Sequence, residues 1–411
     1  MFASTAFGQL RYIEEATAGT TPVTGVGVNL RNTGPTVKAA VQSVVSQEIT
    51  PNRMVSGSTN TDLTVDGGFN FELSSQEYDP FIAGMLCSSW AHYGTAGIGT
   101  AVSLTTTTNS IDAAVAPTGA DAFTNLVKGQ WFRLIPGALA STAVKDYFAD
   151  KWLKVSDTTA PTSTKITLDS TTPLAGAGVI GTAVSSQITA SRLVNAAARK
   201  SFTLEWAQTD ITQFLQYRGM RPNTLSLNFA VGAILTGSFG FFGQSHGITQ
   251  VTTLPGGPSF TASQDGDVMN SVTDMGVLAV GGTDLLAGGA SFISDVTLEI
   301  SNNLRGQKAL GVFGNAGVGY GEFSVSGTMK CYFENENLYK QALNGDRLSL
   351  ALGVTDGEGG GYLFEMPRIK FKDAAVEFGG KDADVMLNLP FQAFYDASKG
   401  YGMSVARAVA P

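Results

Sequence analysis

Strict alternation of apolar and polar residues is the clearest pattern in the chain, and it runs through LTVDGGFNFEL, from Leu63 to Leu73. One face carries Val65, Gly67, Phe69, Phe71 and Leu73, and the other carries Asp66, Gly68, Asn70 and Glu72. A two-residue period of this length indicates a strand with one buried face. The face with the carboxylates is expected to contact water.

A helical pattern follows this strand directly, in SSQEYDPFIAGML. Asp79 can cap a helix whose first residue is Pro80, where a missing amide proton costs nothing. One face of that helix is apolar and carries Phe81, Ile82, Met85 and Leu86. The stretch therefore predicts a strand, a short turn and a short amphipathic helix.

The same arrangement occurs again about 260 residues later, in EFSVSGTMKCYFENENLYKQALNG. A strand-rich stretch follows each copy, first FLQYRGMRPNTLSLNFAVGAILTGSFGFFG and later YLFEMPRIKFKDAAVEFGGKDADVMLNLPFQAFYD. In the first of these, Leu225, Leu227 and Phe229 alternate before a turn at VGAI. We interpret the order as a duplicated domain. The alternative is that both copies belong to one larger domain.

Three other stretches carry weaker patterns. Residues 37–62 begin apolar and end polar, which is typical of a loop that contacts a partner. Residues 259–289 have no steady period and are predicted to be an irregular connection. Residues 96–198 are rich in Thr, Ala and Ser and hold short strand-like runs (GQWFRLIPG, DKWLKVSD and TKITLDS), so they predict an inserted small β-module with adjacent ends.

Composition supports a mainly β protein, since the 411 residues include 49 glycines and only 15% charged residues. The formal net charge of −8 argues against wrapping nucleic acid, whose phosphates require a basic surface. Cys87 and Cys331 are expected to be free, buried thiols. The sequence MFASTAFGQLRYIEEATAG does not have the pattern of a secretion signal, and no apolar run reaches the length of a membrane helix, so a cytoplasmic protein is expected.

Catalytic chemistry is not indicated. His92 and His246 have no ligand at a metal-binding spacing and are interpreted as a turn and a loop histidine. Gly317, Gly319 and Gly321 lead into a strand pattern, so no helix N-terminus would receive a phosphate. The sequence therefore predicts no catalytic residue, no cofactor and no metal site, and the protein is not expected to be an enzyme.

In several ordered stretches the chain resembles the major tail tube proteins of long, non-contractile-tailed bacteriophages (siphophages). They are EITPNRMVSG, VDGGFNFELSSQEYDPFIAGML, KSFTLEW, ISNNLRGQKALG, VSGTMKCYFENENLYKQAL and EMPRIKF. The resemblance implies a structural subunit of stacked rings around a DNA-conducting channel, assembled in the host cytoplasm into the virion tail. It also implies contacts with tail terminator, tape measure and distal tail proteins, passage of genomic DNA without specific binding, and no membrane.

This resemblance gives a definite organisation. Residues 1–95 and 199–258 would form the first tail-tube β-sandwich or barrel domain, residues 96–198 an exterior small β-module, and residues 259–411 the second tube domain. Since related single-domain proteins form six-membered rings, duplication implies trimers with pseudo-sixfold symmetry, and a single larger domain implies hexamers. Candidate residues of an acidic channel wall are Asp66, Glu72 and Glu322. The rival functions are an outer-membrane porin-like β-barrel and a β-modular surface adhesin.

Overall fold

The computed structural model describes residues 2–52, 54–93, 104–117, 122–135, 145, 147–148, 151–174, 178–181, 187–257, 259–286 and 292–409. The protein is mainly β, as predicted, with short helices between antiparallel strands. Hydrogen bonds link 22 of the described strands in one sheet system, whose two similar halves are called the first and the second β-sandwich. A smaller β-module lies between the two parts of the first sandwich in the sequence.

The first sandwich is built from two separate parts of the chain. Its elements are β1 (Gly8–Glu14), β2 (Val28–Asn29), β3 (Gly34–Pro35), β4 (Lys38–Val45), β5 (Ser58–Glu72), α1 (Asp79–Met85) and β6 (Ala91–Tyr93), then, after the module, β14 (Phe202–Gln208), β15 (Gln213–Ala230), β16 (Thr236–Phe242) and β17 (Ser245–Thr249). β15 passes through both layers, because its first half pairs with β14 and β17 and its second half with β16.

The intervening module contains β7 (Leu104–Thr107), β8 (Ser110–Ala113), β9 (Trp131–Ile135), β10 (Leu153–Lys154), β11 (Lys165–Thr167), β12 (Gly178–Gly181) and β13 (Gln187–Val194). The three strand-like runs seen in the sequence correspond to β9, β10 and β11. β6, which precedes the module, and β13, its last strand, are antiparallel neighbours. The module has its own apolar core, around Phe132, Ile166 and Ile188.

The second sandwich follows in one continuous segment. It comprises β18 (Met275–Val280), β19 (Thr283–Asp284), β20 (Ile293–Ser301), β21 (Arg305–Gln307), β22 (Gly317–Gly319), β23 (Ser324–Tyr332), α2 (Asn337–Asn344), β24 (Leu348–Thr355), β25 (Gly361–Phe371), β26 (Ala375–Glu377), β27 (Met386–Ala393) and β28 (Ser404–Ala408). One apolar cluster runs through both sandwiches without a break.

The opening pattern of the sequence is confirmed in the fold. Phe69, Phe71 and Leu73 on β5 are buried, and Phe81 of α1 packs against Phe69 with ring centroids 5.3 Å apart. Aromatic packing of this kind adds to the free energy gained by burying the rings. α1 therefore closes the core between the two layers.

The predicted helix cap is wrong in detail. The residue at the N-cap position is Tyr78, and Asp79 is the first helical residue. The Asp79 carboxylate accepts hydrogen bonds from the Tyr362 hydroxyl, at 2.7 Å, and from the Arg407 guanidinium. This carboxylate is buried and fixes α1 to β25 and β28 of the second sandwich, because an ionised group is stable there only if it is paired.

Two further predictions about irregular segments are corrected. Residues 275–280, within the stretch predicted to be an irregular connection, form β18, which is buried on both faces from Val277 onward and so shows no alternation. Residues 38–45 and 58–62 are strand residues of the β4–β5 hairpin, so only the described residues between Val45 and Ser58 match the predicted loop. Cys87 and Cys331 are free and buried, as predicted.

Candidate functional site: a polar sheet face with two unpaired edges

Among the described residues, no group of three or more His, Cys, Asp or Glu side chains is placed to hold a metal ion. The predicted turn and loop positions of the histidines are wrong: His92 lies in β6 and His246 in β17, where its Nδ1 is 2.9 Å from the Gln216 carbonyl oxygen. Burial lowers the pKa of His246, so the ring is neutral at pH 7.

The two sandwiches share one continuous layer with a polar outer face, hereafter the polar face. Its strand order is β3 with β4, then β5, β16, β15, β20, β23, β27 and β26. One row of facing residues crosses it as Gly34, Asn70, Ser238, Ser226, Glu299, Ser326 and Gln392. The next row contains Glu72, Thr236, Asn228, Thr297, Thr328 and Pro390. Short uncharged polar side chains therefore dominate.

Charge on the polar face is sparse. The two rows above hold two carboxylates and no basic side chain among the named positions. Asp66 also lies on this face, with Lys38 Nζ 3.5 Å from its Oδ1. Glu322 precedes β23 and lies outside the strands, so it is not part of the face.

The joint between the sandwiches is a strand pairing. β15 and β20 run antiparallel over seven facing pairs, from Thr224 opposite Ser301 to Ala230 opposite Asp295. Apolar residues meet apolar residues on the core side: Leu225 with Ile300, Leu227 with Leu298, and Phe229 with Val296. Such facing pairs are the unit that stabilises a sheet. The joint therefore holds the halves together by the same interactions that hold one sheet.

The pairing scheme of the first sandwich recurs in the second. Six strand pairs of the first sandwich each have a counterpart in the second. β1–β2 corresponds to β18–β19, β1–β14 to β18–β24, and β14–β15 to β24–β25. In the same way, β15–β16 corresponds to β25–β27, β16–β5 to β27–β23, and β15–β17 to β25–β28. β3 and β4 pair with β5 as β20 pairs with β23.

The registers of these pairs define equivalent positions. The alternation at Val65, Gly67 and Phe69 in β5 matches Val325, Gly327 and Met329 in β23. The facing residues of each neighbouring strand then follow. Residues 34–39 correspond to 295–300 of β20, and residues 225–229 of β15 correspond to 374–378 around β26.

Each end of the polar layer is an edge that is paired on one side only among the described residues. At one end, β3 and β4 pair with β5. At the other, β26 pairs with β27. Both edges present partly buried apolar side chains: Val37 and Ala39 at the first, and Ala374 and Val376 at the second. Unpaired strand edges of this kind are templates for pairing with another chain.

The small module is anchored on the second sandwich, on the layer that does not carry the polar face. Trp131 and Trp152 are buried against Val277, Ala351 and Leu363. Lys154 Nζ lies 3.2 Å from Glu365 Oε1, and Lys399 pairs with Asp157. The coulombic effect of Glu365 and Asp157 outweighs desolvation and raises the pKa of Lys154. Apolar contact and buried ion pairs therefore fix the module to the second sandwich.

Sequence reasoning missed the β15–β20 joint and the two edges. LSLNF and VTLEI both showed alternation, which indicates strands but not which strands pair. The signal that could have identified the joint is the duplication itself. β20 is the equivalent of β3 and β4, and it pairs with β15 on its other side. A pairing strand is therefore expected on the open side of β3 and β4 as well.

Comparison with known proteins identifies a family. The family model described as phage tail tube protein matches residues 6–393. No curated protein matches the sequence.

Proposed function

The chain belongs to the phage tail tube protein family, a structural and non-enzymatic family of the virion tail, and we propose that it polymerises into stacked rings around a channel that conducts DNA. Family membership decides against the porin-like barrel and the surface adhesin. Among the described residues, no helix is long and apolar enough to cross a membrane. We further propose that it belongs to a siphophage tail and assembles in the host cytoplasm.

The observation that carries the proposal is the β15–β20 joint, because the two edges of the layer are equivalent to the two strands of this joint. In the β15–β20 joint, Ser226 faces Glu299 and Leu227 faces Leu298. Transferring this register to the equivalent positions places Ala375 opposite Lys38 of the next chain, and Val376 opposite Val37. Ring closure then consists of the same strand addition that already joins the two halves.

The transferred register matches the chemistry of both edges. Apolar residues meet again on the core side: Ala374 with Ala39, Val376 with Val37, and Phe378, which is 80% exposed, with Pro35. Pairing would therefore cover side chains that the single chain leaves partly exposed. Burial of apolar surface supplies about 25 cal/mol per Å² toward association.

Ring size follows from the number of equivalent joints. If every joint has the β15–β20 geometry, each chain fills two positions of a six-position ring, so three chains give pseudo-sixfold symmetry. The alternative is one larger domain, in which residues 1–95 plus 199–258 and residues 259–411 are not separate tube domains and residues 96–198 are still the insert. That alternative predicts six chains per ring. We favour three because each pairing of the first sandwich has a counterpart in the second.

We propose that the polar face lines the channel. Ser, Thr and Asn side chains dominate, and the lysines on this face, Lys38 and Lys330, each lie opposite a carboxylate, Asp66 and Asp295. Little unpaired positive charge is therefore available, and basic side chains are what binds phosphates tightly. DNA would therefore slide without specific binding. Tail terminator, tape measure and distal tail proteins remain the expected neighbours of the tube.

Cysteine cross-linking of the two edges tests ring closure and counts the chains. Lys38→Cys and Ala375→Cys are combined in one chain, assembled, treated with a short bifunctional maleimide and separated under denaturing conditions. Closed rings give covalent species that stop at three chains. Each single variant is the control and should stay monomeric on the gel, because Cys87 and Cys331 are buried.

Species that stop at six would support the single-domain alternative. Absence of any cross-link in assembled tubes would refute the proposed edge pairing. An independent check is Val376→Pro, which removes an amide donor from the edge strand and fixes the backbone angle φ at that position. This variant is expected to abolish assembly.

A further inference from the structure

The outer part of the β4–β5 hairpin is called the first arm, and its described residues, 41–52 and 54–61, stand almost entirely free of the body. Apolar side chains on it are exposed: Val44 by 57%, Ile49 fully, Met54 by 71% and Val55 by 66%. An isolated two-stranded hairpin is only marginally stable in water. Its exposed apolar residues therefore call for a surface to pack on.

The counterpart of this arm in the second half of the chain does have such a surface. Residues 302–320, the second arm, contain β21 and β22 and lie on the first sandwich. Lys308 Nζ is 2.7 Å from Asp62 Oδ1, and the Asn315 side-chain amide donates to the Gly243 carbonyl over 2.9 Å. The Arg221 guanidinium donates to the Val318 carbonyl over 3.2 Å.

We propose that the first arm docks on the second sandwich of the neighbouring chain in the same ring, in the way that the second arm docks on the first sandwich. This inference rests on the ring closure proposed above. The equivalent positions define the docking surface. Arg221 corresponds to Lys370, Gly243 to Ala393, Gln244 to Phe394 and Asp62 to Glu322.

The surface has the chemistry that the first arm requires. Phe394 is 41% exposed and Tyr395 60%, so both can pack on apolar side chains. The equivalent of Gly314, which lies against the Gln244 carbonyl, is Met54, and this places Met54 beside Phe394. Lys370 keeps the basic character of Arg221, whose guanidinium donates to the Val318 carbonyl of the second arm.

A bend in the first arm is required, and the chain has a place for it. The second arm leaves β20 at Asn303, which has a positive φ of 46°. The equivalent residue in β4 is Gln42, and the β4–β5 register shifts between Gln42 and Ser43. A register shift of this kind is where an antiparallel pair bends most easily.

The test is cross-linking of Met54→Cys with Phe394→Cys in one chain, after assembly and under the same conditions as the edge pair. Docking within the ring gives covalent species that stop at the ring size found with Lys38→Cys and Ala375→Cys. Met54→Cys with Leu343→Cys is the matched control, since Leu343 is 66% exposed on α2 and lies outside the docking surface. This control should give no ring-sized species.

The outcomes separate the two proposals. If the chain with Met54→Cys and Phe394→Cys gives covalent species that continue beyond the ring size, the arm bridges successive rings. That result overturns docking within the ring. Absence of arm cross-links in tubes whose edge pair closes into rings also overturns it, and leaves ring closure intact. Failure of the edge pair refutes ring closure and removes the basis of arm docking.

Discussion

Replacing Asp79 by serine distinguishes a helix-capping role of this side chain from a role in a buried ion pair, because the two predict different losses in the free energy of unfolding. Serine caps helices as well as aspartate does, so a capping role would survive and stability would change little. Serine cannot pair with Arg407. The structure assigns Asp79 to a buried contact with Arg407 and Tyr362, so Asp79→Ser should leave a buried guanidinium without its carboxylate.

The expected loss follows from burial. Asp79 is 7% exposed, Arg407 9% and Tyr362 not at all. Removing one partner of a buried ion pair costs about 3–5 kcal/mol, whereas losing a helix cap costs about 1 kcal/mol. With an unfolding entropy of about 2.1 cal/mol/K per residue, a loss of 4 kcal/mol lowers Tm by about 5 °C for a chain of 411 residues that unfolds in one transition.

Urea unfolding of the unassembled chain, followed by tryptophan fluorescence, measures the free energy of unfolding. The Arg407 guanidinium lies 4.8 Å from the Trp90 ring, so this contact also reports locally. Glu336→Gln is the matched control, because its ion pair with Lys340 is exposed and such pairs are worth about 0–1 kcal/mol. A free energy for Asp79→Ser within about 1 kcal/mol of the parent chain would refute the assigned ion pair.

Three further predictions concern the core and the module. Gly327→Ala should destabilise the chain by about 1–3 kcal/mol, because its Cβ would lie 2.1 Å from a backbone oxygen of β20, whereas Gly57→Ala meets no atom within 4 Å and should change little in the same urea assay. Burial raises the pKa of Cys331 to about 11 and that of Cys87 above its ordinary value, so neither thiol should react with Ellman's reagent at pH 8 until urea unfolds the chain; labelling of the folded chain would contradict their burial. Replacing residues 94–186 by a Gly/Ser linker should lower the free energy of unfolding, since the tryptophan contacts on the second sandwich are lost, but should leave tubes visible by negative-stain microscopy; a folded variant that forms no tubes would show that the module contributes to assembly.

How far the sequence predicted the fold depended on which faces of each strand are buried. β5 has one buried face, so its alternation was readable. β18 is buried on both faces, which makes its sequence a continuous apolar run without a period. Local patterns cannot reveal that the Asp79 carboxylate meets Arg407, because the two residues are brought together only by tertiary packing.

The candidate site was predictable only in part for the same reason. The polar residues of β5 could be assigned to one face from the sequence. Their place in a layer shared by both sandwiches depends on the β15–β20 pairing, which unites segments whose alternation carries no information about partners. Duplication of the strand–turn–helix pattern was visible in the sequence, but its consequence for the edges required the registers of the pairs.

The two edges differ in charge, and this difference specifies how chains can join. In the transferred register Lys38 lies opposite Ala375 and diagonal to Glu377 of the neighbouring chain, on the polar face, where residues of opposite charge attract. A slip by one residue would set Lys38 opposite Val376, so that side chains of the polar face in one chain would meet core-side side chains of the next. Identical edges cannot satisfy this requirement, since β3–β4 against β3–β4 brings lysine to lysine. Under the proposed edge pairing, chains associate head to tail, and such a contact closes into a ring where the rotation from one chain to the next divides a full turn.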